Sequence, residues 1–345
     1  MKHIILSLII AVLSSTLASA EPVRVHFSPN SRDSLQTVVD RLNDGDVLII
    51  EPGNYQLEQP VTIRRNIAIV GSREGMPTIR GRNGCFRIDV TQRTGDQRVT
   101  LGNLELIVNS GRTDGNLTRY AIAVWSGTVR IVQCELTSDG GGGLFVRGNR
   151  SRAEIVRSRV FQCAQDGIYY DNSATGLVEE TEISANRRGG IFLHNGANVS
   201  ISNSQIFNNG SGISMQQGSQ VTINDCRIEN NGESDSGISV RSRSNATISN
   251  SHVLNNSERG INIQEDSRAT INNCRIENSA ESGIFVTSRS NVTVSNSQIS
   301  NNRYGVHVQN GGRGTFEGNR LQGNSQDWSI ANDAGEVVRR NNTPR

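Results

Sequence analysis

Short segments in which hydrophobic and polar residues alternate recur along most of the chain. In the segment 261–264 (INIQ), isoleucines alternate with asparagine and glutamine, and the segments 269–272 (ATIN) and 274–277 (CRIE) repeat this arrangement. Alternation with a period of two predicts β-strands with one buried face, whereas helical repeats would show a period of 3.6 residues. Each unit of the chain is therefore predicted to contain three short strands.

The unit recurs at a nearly fixed interval, which glycines mark. These glycines are Gly167, Gly190, Gly212, Gly237, Gly260, Gly283 and Gly305. Their six intervals span 138 residues, a mean of 23. A period in this range indicates a solenoid, in which each unit buries its apolar face against its neighbours. The sequence thus predicts an all-β fold, a parallel β-helix with three sheets.

Stacked turns place equivalent residues one above another along the axis. One predicted inward ladder consists of Ile168, Ile191, Ile213, Ile238, Ile261, Ile284 and Val306. A second consists of Ile201, Ile223, Ile248, Ile271, Val294 and Phe316. Asparagine or aspartate fills one turn position in Asn203, Asp225, Asn250, Asn273 and Asn296. Both residue types tolerate left-handed backbone angles, so this position is predicted to be a tight turn.

The two ends of the solenoid carry their own patterns. Leu35, Val38, Val39 and Leu42 follow helical spacing, which predicts an amphipathic α-helix that caps the first coil. Matching the strands from Thr62 onward gives about eleven coils, roughly 50 Å in length at the usual spacing between strands. Trp328 and Ile330 are predicted to close the far end.

These patterns divide the chain into four segments. Residues 1–20 form a targeting segment, 21–60 the cap and first coil, 61–330 the β-helix, and 331–345 a polar, frayed tail.

The repeat resembles that of a known superfamily. The unit G-I-x-V…A-T-I-x-N-S/C-x-I-x-N, over at least residues 120–325, is similar to the right-handed parallel β-helix repeat of the pectin lyase-like superfamily. The entry segment DGDVLIIEPGNYQL is similar to the usual first coil of that superfamily. The resemblance implies a right-handed β-helix. It does not imply one function, because the superfamily includes lyases, hydrolases, epimerases, phage spikes, adhesins and periplasmic maturation proteins.

The first twenty residues are predicted to be a cleaved export signal. An apolar stretch over residues 4–13 is followed by Ala18-Ser19-Ala20, the small residues that precede a cleavage site. Ten apolar residues are too few to span a bilayer, and no other segment is apolar enough. The mature protein is therefore predicted to be periplasmic or secreted, without a membrane span. A formal net charge of +2 gives no reason to expect nucleic acid as a partner.

Cysteines are predicted to be packing residues. Cys134, Cys226 and Cys274 occupy a position that holds serine in other coils. Two repeats separate Cys226 from Cys274, so their α-carbons would lie ~9–10 Å apart, too far for a disulfide. The state of Cys85 and Cys163 is left open. No motif predicts a metal site or a cofactor.

Candidate chemistry lies on the outward side of the first strand of each coil. One outward column reads Ala123, Phe145, Tyr169, Phe192, Ser214, Ser239, Asn262, Phe285 and His307. Its neighbour reads Trp125, Arg147, Asp171, His194, Gln216, Arg241, Gln264, Thr287 and Gln309. Aromatic and ionisable residues concentrate in the four coils from Trp125 to His194. Sugar rings stack on flat aromatic faces, so Trp125, Phe145, Tyr169 and Phe192 are candidate ligand-binding residues.

The charged residues of these coils suggest acid–base chemistry. Arg147 suits a two-pronged contact with a uronate carboxylate. Asp171 and His194 are one coil apart, about 4.8 Å between backbones, and are the candidate catalytic pair for proton transfer next to a carboxylate. The connection 109–119 and the glycines 140–143 are predicted to form walls of this patch.

Other interpretations of the same residues remain open. A structural interpretation is favoured over a catalytic one, in which the aromatic side chains are covered by that connection or by a partner subunit, and Asp171 and His194 are a surface pair. Thr222, Thr247, Thr270, Thr293 and Thr315 form a second outward column, of the kind that orders water, although threonine is common in strands for packing reasons. Calcium-dependent pectate lyases need several acidic residues here, but the two columns contain only Asp171. The polygalacturonase pattern and the D-P-H-D signature of alginate epimerases are also absent.

Three hypotheses follow for the function. The first is an exported protein that binds an extended acidic polysaccharide or cell-envelope glycan without assured catalysis. The second is a lyase or C-5 epimerase acting on uronate polymers. The third is an adhesion or envelope structural protein. The sequence leaves the oligomeric state open.

Overall fold

The computed structural model of the chain describes residues 21–91, 98–111, 119–232 and 236–343, and they form a parallel β-helix. The predicted export signal, residues 1–20, lies outside the described residues. Each complete turn contributes three strands, which we assign to sheets 1, 2 and 3, whereas the turns at the two ends contribute fewer. Within the described residues all strand pairs are parallel, for example the pair Ile168–Asp171 and Gly189–Leu193. The predicted fold class is confirmed.

Sheet 1 contains the strand that follows the marker glycine or includes it. Its strands are Val61–Ile63, Phe86–Asp89, the first part of Ile122–Val132, Leu144–Arg147, Ile168–Asp171, Gly189–Leu193, Ser211–Met215, Ile238–Val240, Arg259–Ile263, Ser282–Val286, Tyr304–Val308 and Gln326–Ile330. The long strand Ile122–Val132 continues into sheet 2 and joins the two sheets into one of 25 strands.

Sheet 2 follows sheet 1 in each turn. Its strands are Arg24–Phe27, Val47–Ile50, Ala68–Gly71, Val99–Gly102, the last part of Ile122–Val132, Ser151–Val156, Thr175–Glu179, Asn198–Ser202, Gln220–Asn224, Asn245–Ser249, Arg268–Asn272, Asn291–Ser295, Arg313–Glu317 and Val337–Arg340.

Sheet 3 closes each turn and has 12 strands. These are Asn54–Leu57, Thr78–Gly81, Glu105–Val108, Glu135–Ser138, Arg159–Phe161, Glu182–Ser184, Gln205–Phe207, Arg227–Glu229, His252–Leu254, Arg275–Glu277, Gln298–Ser300 and Arg320–Gln322.

The inward ladders pair as predicted. Ile168 lies opposite Ile191, Ile191 lies opposite Ile213, and the pairing continues to Val306. The ladder from Ile201 to Phe316 on sheet 2 is also in register. Nearly all of these side chains are fully buried in one continuous core. Because burial of apolar surface needs both neighbours, the stability of each turn depends on the turns beside it.

The solenoid has about 13 turns, so the prediction of eleven was too low. Arg24–Phe27 already pairs with Val47–Ile50, and both strands precede Thr62, from which the coils were counted. At the other end, Val337–Arg340 pairs with the strand Arg313–Glu317, so the predicted frayed tail includes a strand. Backbone hydrogen bonds to an open sheet edge do not require apolar side chains, which explains why hydrophobic alternation missed this strand.

The two ends are closed differently. Helix α1, Leu35–Arg41, covers the first turns through buried Leu35 and Val39, and the Ser34 hydroxyl caps it by accepting a hydrogen bond from the Thr37 amide. This confirms the predicted capping helix. At the far end Trp328 packs edge-on against Phe316, with ring centroids 5.3 Å apart.

Asparagines stabilise two kinds of turn. The predicted turn position, from Asn203 to Asn296, has positive φ angles of 51–53°. A second set, buried where sheet 3 leads into sheet 1, was not predicted. There the side-chain amide of Asn186 donates to Asn209 Oδ1 at 2.9 Å, and Asn209 donates to Asn231 Oδ1 at 3.0 Å. Such a ladder satisfies buried backbone groups along the axis.

Three further observations concern the cysteines, membrane spans and metal sites. All five cysteines are buried free thiols. Within the described ranges no helix has the length and apolar character needed to cross a membrane. Those same ranges contain no cluster of three or more His, Cys, Asp or Glu side chains arranged to hold a metal ion.

The threonine column of sheet 2 is in register from Thr222 to Thr315. Its neighbour is a network of polar side chains, in which Ser249 donates to Asn224 and Ser295 donates to Asn272, each at 3.0 Å. These bonds within the sheet account for the polar residues without a ligand.

Candidate functional site

The two outward columns of sheet 1 lie in register along one side of the sheet. Phe145 lies opposite Tyr169, and Tyr169 lies opposite Phe192. In the second column Arg147 lies opposite Asp171. Because the strands are parallel and in register, residues 23 positions apart in the sequence become neighbours here. The sequence-based placement of these side chains is therefore correct.

The aromatic side chains form a connected cluster. Phe145 contacts Tyr120, Trp125 and Tyr169, with ring centroids 5.5, 5.6 and 5.3 Å away, and Tyr169 lies 5.1 Å from Phe192. Such tilted and edge-to-face pairs stabilise one another beyond the area they bury. Phe145 is fully buried. The predicted contact between Phe145 and a ligand is therefore not available in this structure, and Phe145 supports the neighbouring rings instead.

Trp125 marks one border of the cluster. The pairing with the strand Phe86–Asp89 shifts register between Val124 and Ser126, so Trp125 lies at an irregularity of the sheet. The guanidinium of Arg87 lies over the indole, 5.4 Å from the ring centroid. Trp125 is partly exposed and so offers an aromatic surface beside a positive charge.

Asp171 organises the polar side of the site. It is 5 % exposed. Its Oδ1 accepts from the side-chain amide of Asn195 at 2.9 Å and lies 3.2 Å from Nδ1 of His194. Its Oδ2 lies 3.4 Å from Nε of Arg147. The predicted pair of Asp171 and His194 is thus in direct contact, and a buried carboxylate with these partners holds the imidazole in a fixed orientation.

The phenol of Tyr169 joins this group. Its oxygen lies 3.4 Å from Nδ1 of His194. Burial, together with the negative charges of Asp171 and Asp166, raises the pKa of Tyr169 to about 12, while Arg147 opposes this shift. Tyr169 therefore keeps its proton at neutral pH and is a proton donor. Phe192 stacks on the His194 ring, with centroids 5.6 Å apart and an angle of 24°.

Two residues of the site were missed from the sequence. Tyr120 packs on Phe145, and the Asp166 carboxylate lies beside the patch, where its Oδ1 accepts from the Gly189 amide at 2.9 Å. Burial raises the pKa of Asp166 to about 6, although the Gly189 amide and Arg188 oppose this shift. The signal that the sequence offered is the position of Asp166 within the repeat, three residues before Tyr169. The residues at these two repeat positions in a later turn, Ser211 and Ser214, are in contact, with hydroxyl oxygens 3.1 Å apart.

Gly141, Gly142 and Gly143, three of the glycines predicted to form a wall, are required by close packing. A Cβ on Gly142 would lie 2.2 Å from Cε1 of Tyr120 and 2.1 Å from the carbonyl oxygen of Asp166. Residues 112–118 of the predicted second wall lie outside the described residues.

Substitution of Gly142 by alanine is expected to lower the free energy of unfolding by about 2 kcal/mol, because the backbone beside it must shift. Urea titration measures the change. Gly75→Ala is the matched control, since its added Cβ would meet only the Pro52 side chain, at 3.5 Å. Equal stabilities of the two variants would contradict the packing argument.

Comparison with known proteins identifies the repeat. The family model for the right-handed beta helix region matches residues 94–235 and 236–343. No curated protein sequence matches the chain significantly.

Among solved structures, the A-module of the mannuronan C-5 epimerase AlgE6 from Azotobacter vinelandii is similar, with a TM-score of 0.68 and 17% identity over 87% of this chain and 91% of that one. The periplasmic alginate epimerase AlgG has a TM-score of 0.61 and 12% identity over 92% and 82% of the two chains. A GH87 α-1,3-glucanase from Streptomyces thermodiastaticus strain HF3-3 has a TM-score of 0.59 and 15% identity, over 89% and 64%. At these identities the likeness concerns the fold.

Proposed function

Since the chain belongs to the right-handed β-helix family, of the pectin lyase-like kind, we propose that it binds an acidic polysaccharide on the outward face of sheet 1 and transfers a proton at C-5 of a uronate residue. The observation that carries this proposal is the contact between the buried Asp171 and His194. Similar β-helices named as an alginate epimerase, a mannuronan C-5 epimerase and an α-1,3-glucanase make a polysaccharide the favoured ligand.

His194 is the proposed base. When Asp171 accepts the Nδ1 proton, Nε2 of the neutral imidazole carries the lone pair that takes a proton from the substrate. The His194 side chain is 24% exposed, so a ligand on the sheet can reach it. Proton transfer by such an oriented group typically contributes about 10²–10⁴-fold to a rate.

Arg147 and the aromatic rings are the proposed binding residues. The Arg147 side chain is 45% exposed, and its Nε lies 3.4 Å from Asp171 Oδ2. In this proposal the terminal nitrogens of Arg147 bind a uronate carboxylate. Neutralising that carboxylate stabilises the negative charge that develops when the neighbouring C-5 proton leaves. Tyr169, Phe192 and Trp125 provide the partly exposed rings on which sugars stack.

The proposed reaction begins with removal of the proton at C-5 of the uronate. The C-5–H bond breaks, His194 takes the proton, and the electron pair passes into the carboxylate as an enolate. Breaking the bond between C-4 and O-4 then forms a C-4=C-5 double bond, and the Tyr169 phenol supplies the proton to the leaving oxygen. Solvent water then takes the proton from Nε2 of His194 and returns one to the Tyr169 phenolate, which resets the site. This sequence is elimination by a lyase.

Binding without catalysis is the second candidate function. It is favoured by the burial of Asp171 and Phe145, which also fits a surface built only for contact with a glycan or a cell envelope. Both candidates place the protein outside the cytoplasm, where such polymers occur, in agreement with the export signal predicted for residues 1–20.

One experiment separates the two candidates. The purified protein is incubated with pectate, alginate and glycosaminoglycans, and the ultraviolet absorbance of the unsaturated product and the proton exchange at C-5 are followed. We expect one polymer to react, and we expect Arg147→Ala to raise its KM. Binding of a polymer without reaction by either readout would leave only the second candidate, and absence of binding would contradict both.

A further inference from the structure

We infer that the outward side of sheet 2 carries a binding site for a tetrahedral oxyanion, a sulfate or phosphate group, formed by Arg98, Arg130 and Arg152 around Glu154. The site lies on a different sheet from the candidate site described above, and the inference does not depend on the proposed function. It gives the protein a second surface for an anionic ligand.

The register of sheet 2 brings these four side chains together. Arg130 lies opposite Glu154 on the neighbouring strand, and Arg152 is two positions before Glu154. Thr100 lies on the other side of Arg130, and Arg98 is two positions before Thr100. The residues that alternate with them are buried in the core, so the four charged side chains point outward.

The three guanidiniums converge on the carboxylate of Glu154. Its Oε2 lies 3.1 Å from Nη1 of Arg130 and 3.4 Å from Nη1 of Arg98. Its Oε1 lies 3.2 Å from Nε of Arg152. The Glu154 side chain is only 12% exposed, whereas those of the arginines are between 29% and 41% exposed. The carboxylate thus holds the guanidiniums at the surface, and each of them contacts it through one nitrogen of three.

The cluster carries more positive charge than its carboxylate balances. One carboxylate balances one guanidinium, so two formal positive charges remain, and arginine does not lose its proton near neutral pH. Among the described residues, none of the three arginines has a second acidic partner. Like charges held close together on a sheet are destabilising, and a bound anion removes that cost. The neighbouring positions in the same two columns of sheet 2 are uncharged: Ala68, Thr100, Thr128, Thr175, Leu177, Asn198 and Ser200.

The number of guanidiniums favours a tetrahedral oxyanion. The planar donor fork of arginine matches the oxygens of sulfate and phosphate as well as those of a carboxylate. A sulfate or phosphate group offers an oxygen to each of three guanidiniums, whereas a carboxylate has only two oxygens. Because Glu154 already orders the arginines, little conformational freedom is lost on binding. The ligand is either a free ion or an ester group on a polymer, and the test separates these sources.

The test measures the binding of sodium sulfate, sodium phosphate and sodium acetate by calorimetry, with sodium chloride keeping the ionic strength constant. We expect the wild-type protein to bind sulfate or phosphate, and acetate more weakly. Arg130→Gln should weaken that binding about tenfold, because a charge-assisted hydrogen bond is lost. The control is Arg227→Gln on sheet 3, whose arginine pairs with Glu229 alone, and it should bind like wild type. Absence of binding by wild type, or equal binding by the two variants, would overturn the inference.

Glu154→Gln distinguishes a binding site from an ion-pair network that only connects turns. The substitution leaves three guanidiniums without their carboxylate, so the midpoint of thermal unfolding should fall. Sulfate should restore this midpoint more than chloride does at the same ionic strength, because it takes the place of the lost negative charge. Equal effects of the two salts would contradict the inference. If Glu154→Gln fails to fold, the comparison of Arg130→Gln with Arg227→Gln decides.

Polymers identify the source of the oxyanion. Dextran sulfate, alginate and uncharged dextran are each tested for displacement of inorganic sulfate from the wild-type protein. Displacement by dextran sulfate alone would assign the site to a sulfate ester on a polymer, and displacement by none of them would assign it to a free ion. Displacement by alginate as effective as that by dextran sulfate would refute the preference for a tetrahedral oxyanion. Arg130→Gln should leave any reaction on sheet 1 unchanged, so this inference and the proposed function fail separately.

Discussion

Replacing His194 by alanine is expected to lower the turnover number about a thousandfold, because the base that takes the C-5 proton is removed. Asp171 keeps the Arg147 and Asn195 contacts after this change, so its buried charge stays compensated. The fold should therefore be retained. The measurement is steady-state turnover on the polymer found by the screen, together with the midpoint of thermal unfolding.

The control for this prediction is His252→Ala. His252 is an exposed histidine on sheet 3, remote from the outward face of sheet 1, and its replacement should change neither turnover nor unfolding. Turnover of His194→Ala at the rate of this control would remove His194 from the chemistry. A large drop in the midpoint of thermal unfolding of His194→Ala would instead assign His194 a structural role.

Much of the fold was predictable because a solenoid converts sequence period into position. The spacing of Gly167, Gly190 and the later marker glycines gives the register, and alternation gives the buried side, so both inward ladders followed directly. The number of turns did not follow. The strand Val337–Arg340 is held by backbone pairing at an open edge, and its sequence, VVRR, lacks the alternation from which strands were predicted.

In the candidate site, the register of the residues was predictable from the sequence, whereas the packing of their side chains was not. Register alone brings Asp171 to His194 and Tyr169 to Phe192. It does not reveal how rings pack, which is why Phe145 was expected at the surface while Tyr120 and Trp125 in fact bury it. Asp166 was overlooked because it lies just before the marker glycine, outside the alternating segment, and its importance depends on burial that a pattern does not show.

The buried asparagine ladder gives the largest expected effect on stability. The side-chain amide nitrogen of Asn209 donates to the carbonyls of Ile183 and Phe207 and to Asn231. Its Oδ1 accepts from the backbone amide and the side-chain amide of Asn186, at 3.0 and 2.9 Å. One side chain therefore satisfies buried polar groups of two successive turns, in a region that water does not enter.

Asn209→Ala is expected to lower the free energy of unfolding by about 3 kcal/mol or more, since each buried polar group left unpaired costs about 1–3 kcal/mol. Asn209→Ser should lose less, because serine occupies the equivalent position in a later turn as Ser279. The control is Asn198→Ala, at an exposed strand position, and urea titration compares the three variants. If Asn209→Ala were as stable as Asn198→Ala, the ladder would be a consequence of the stacked turns, which would then be held by their apolar core alone.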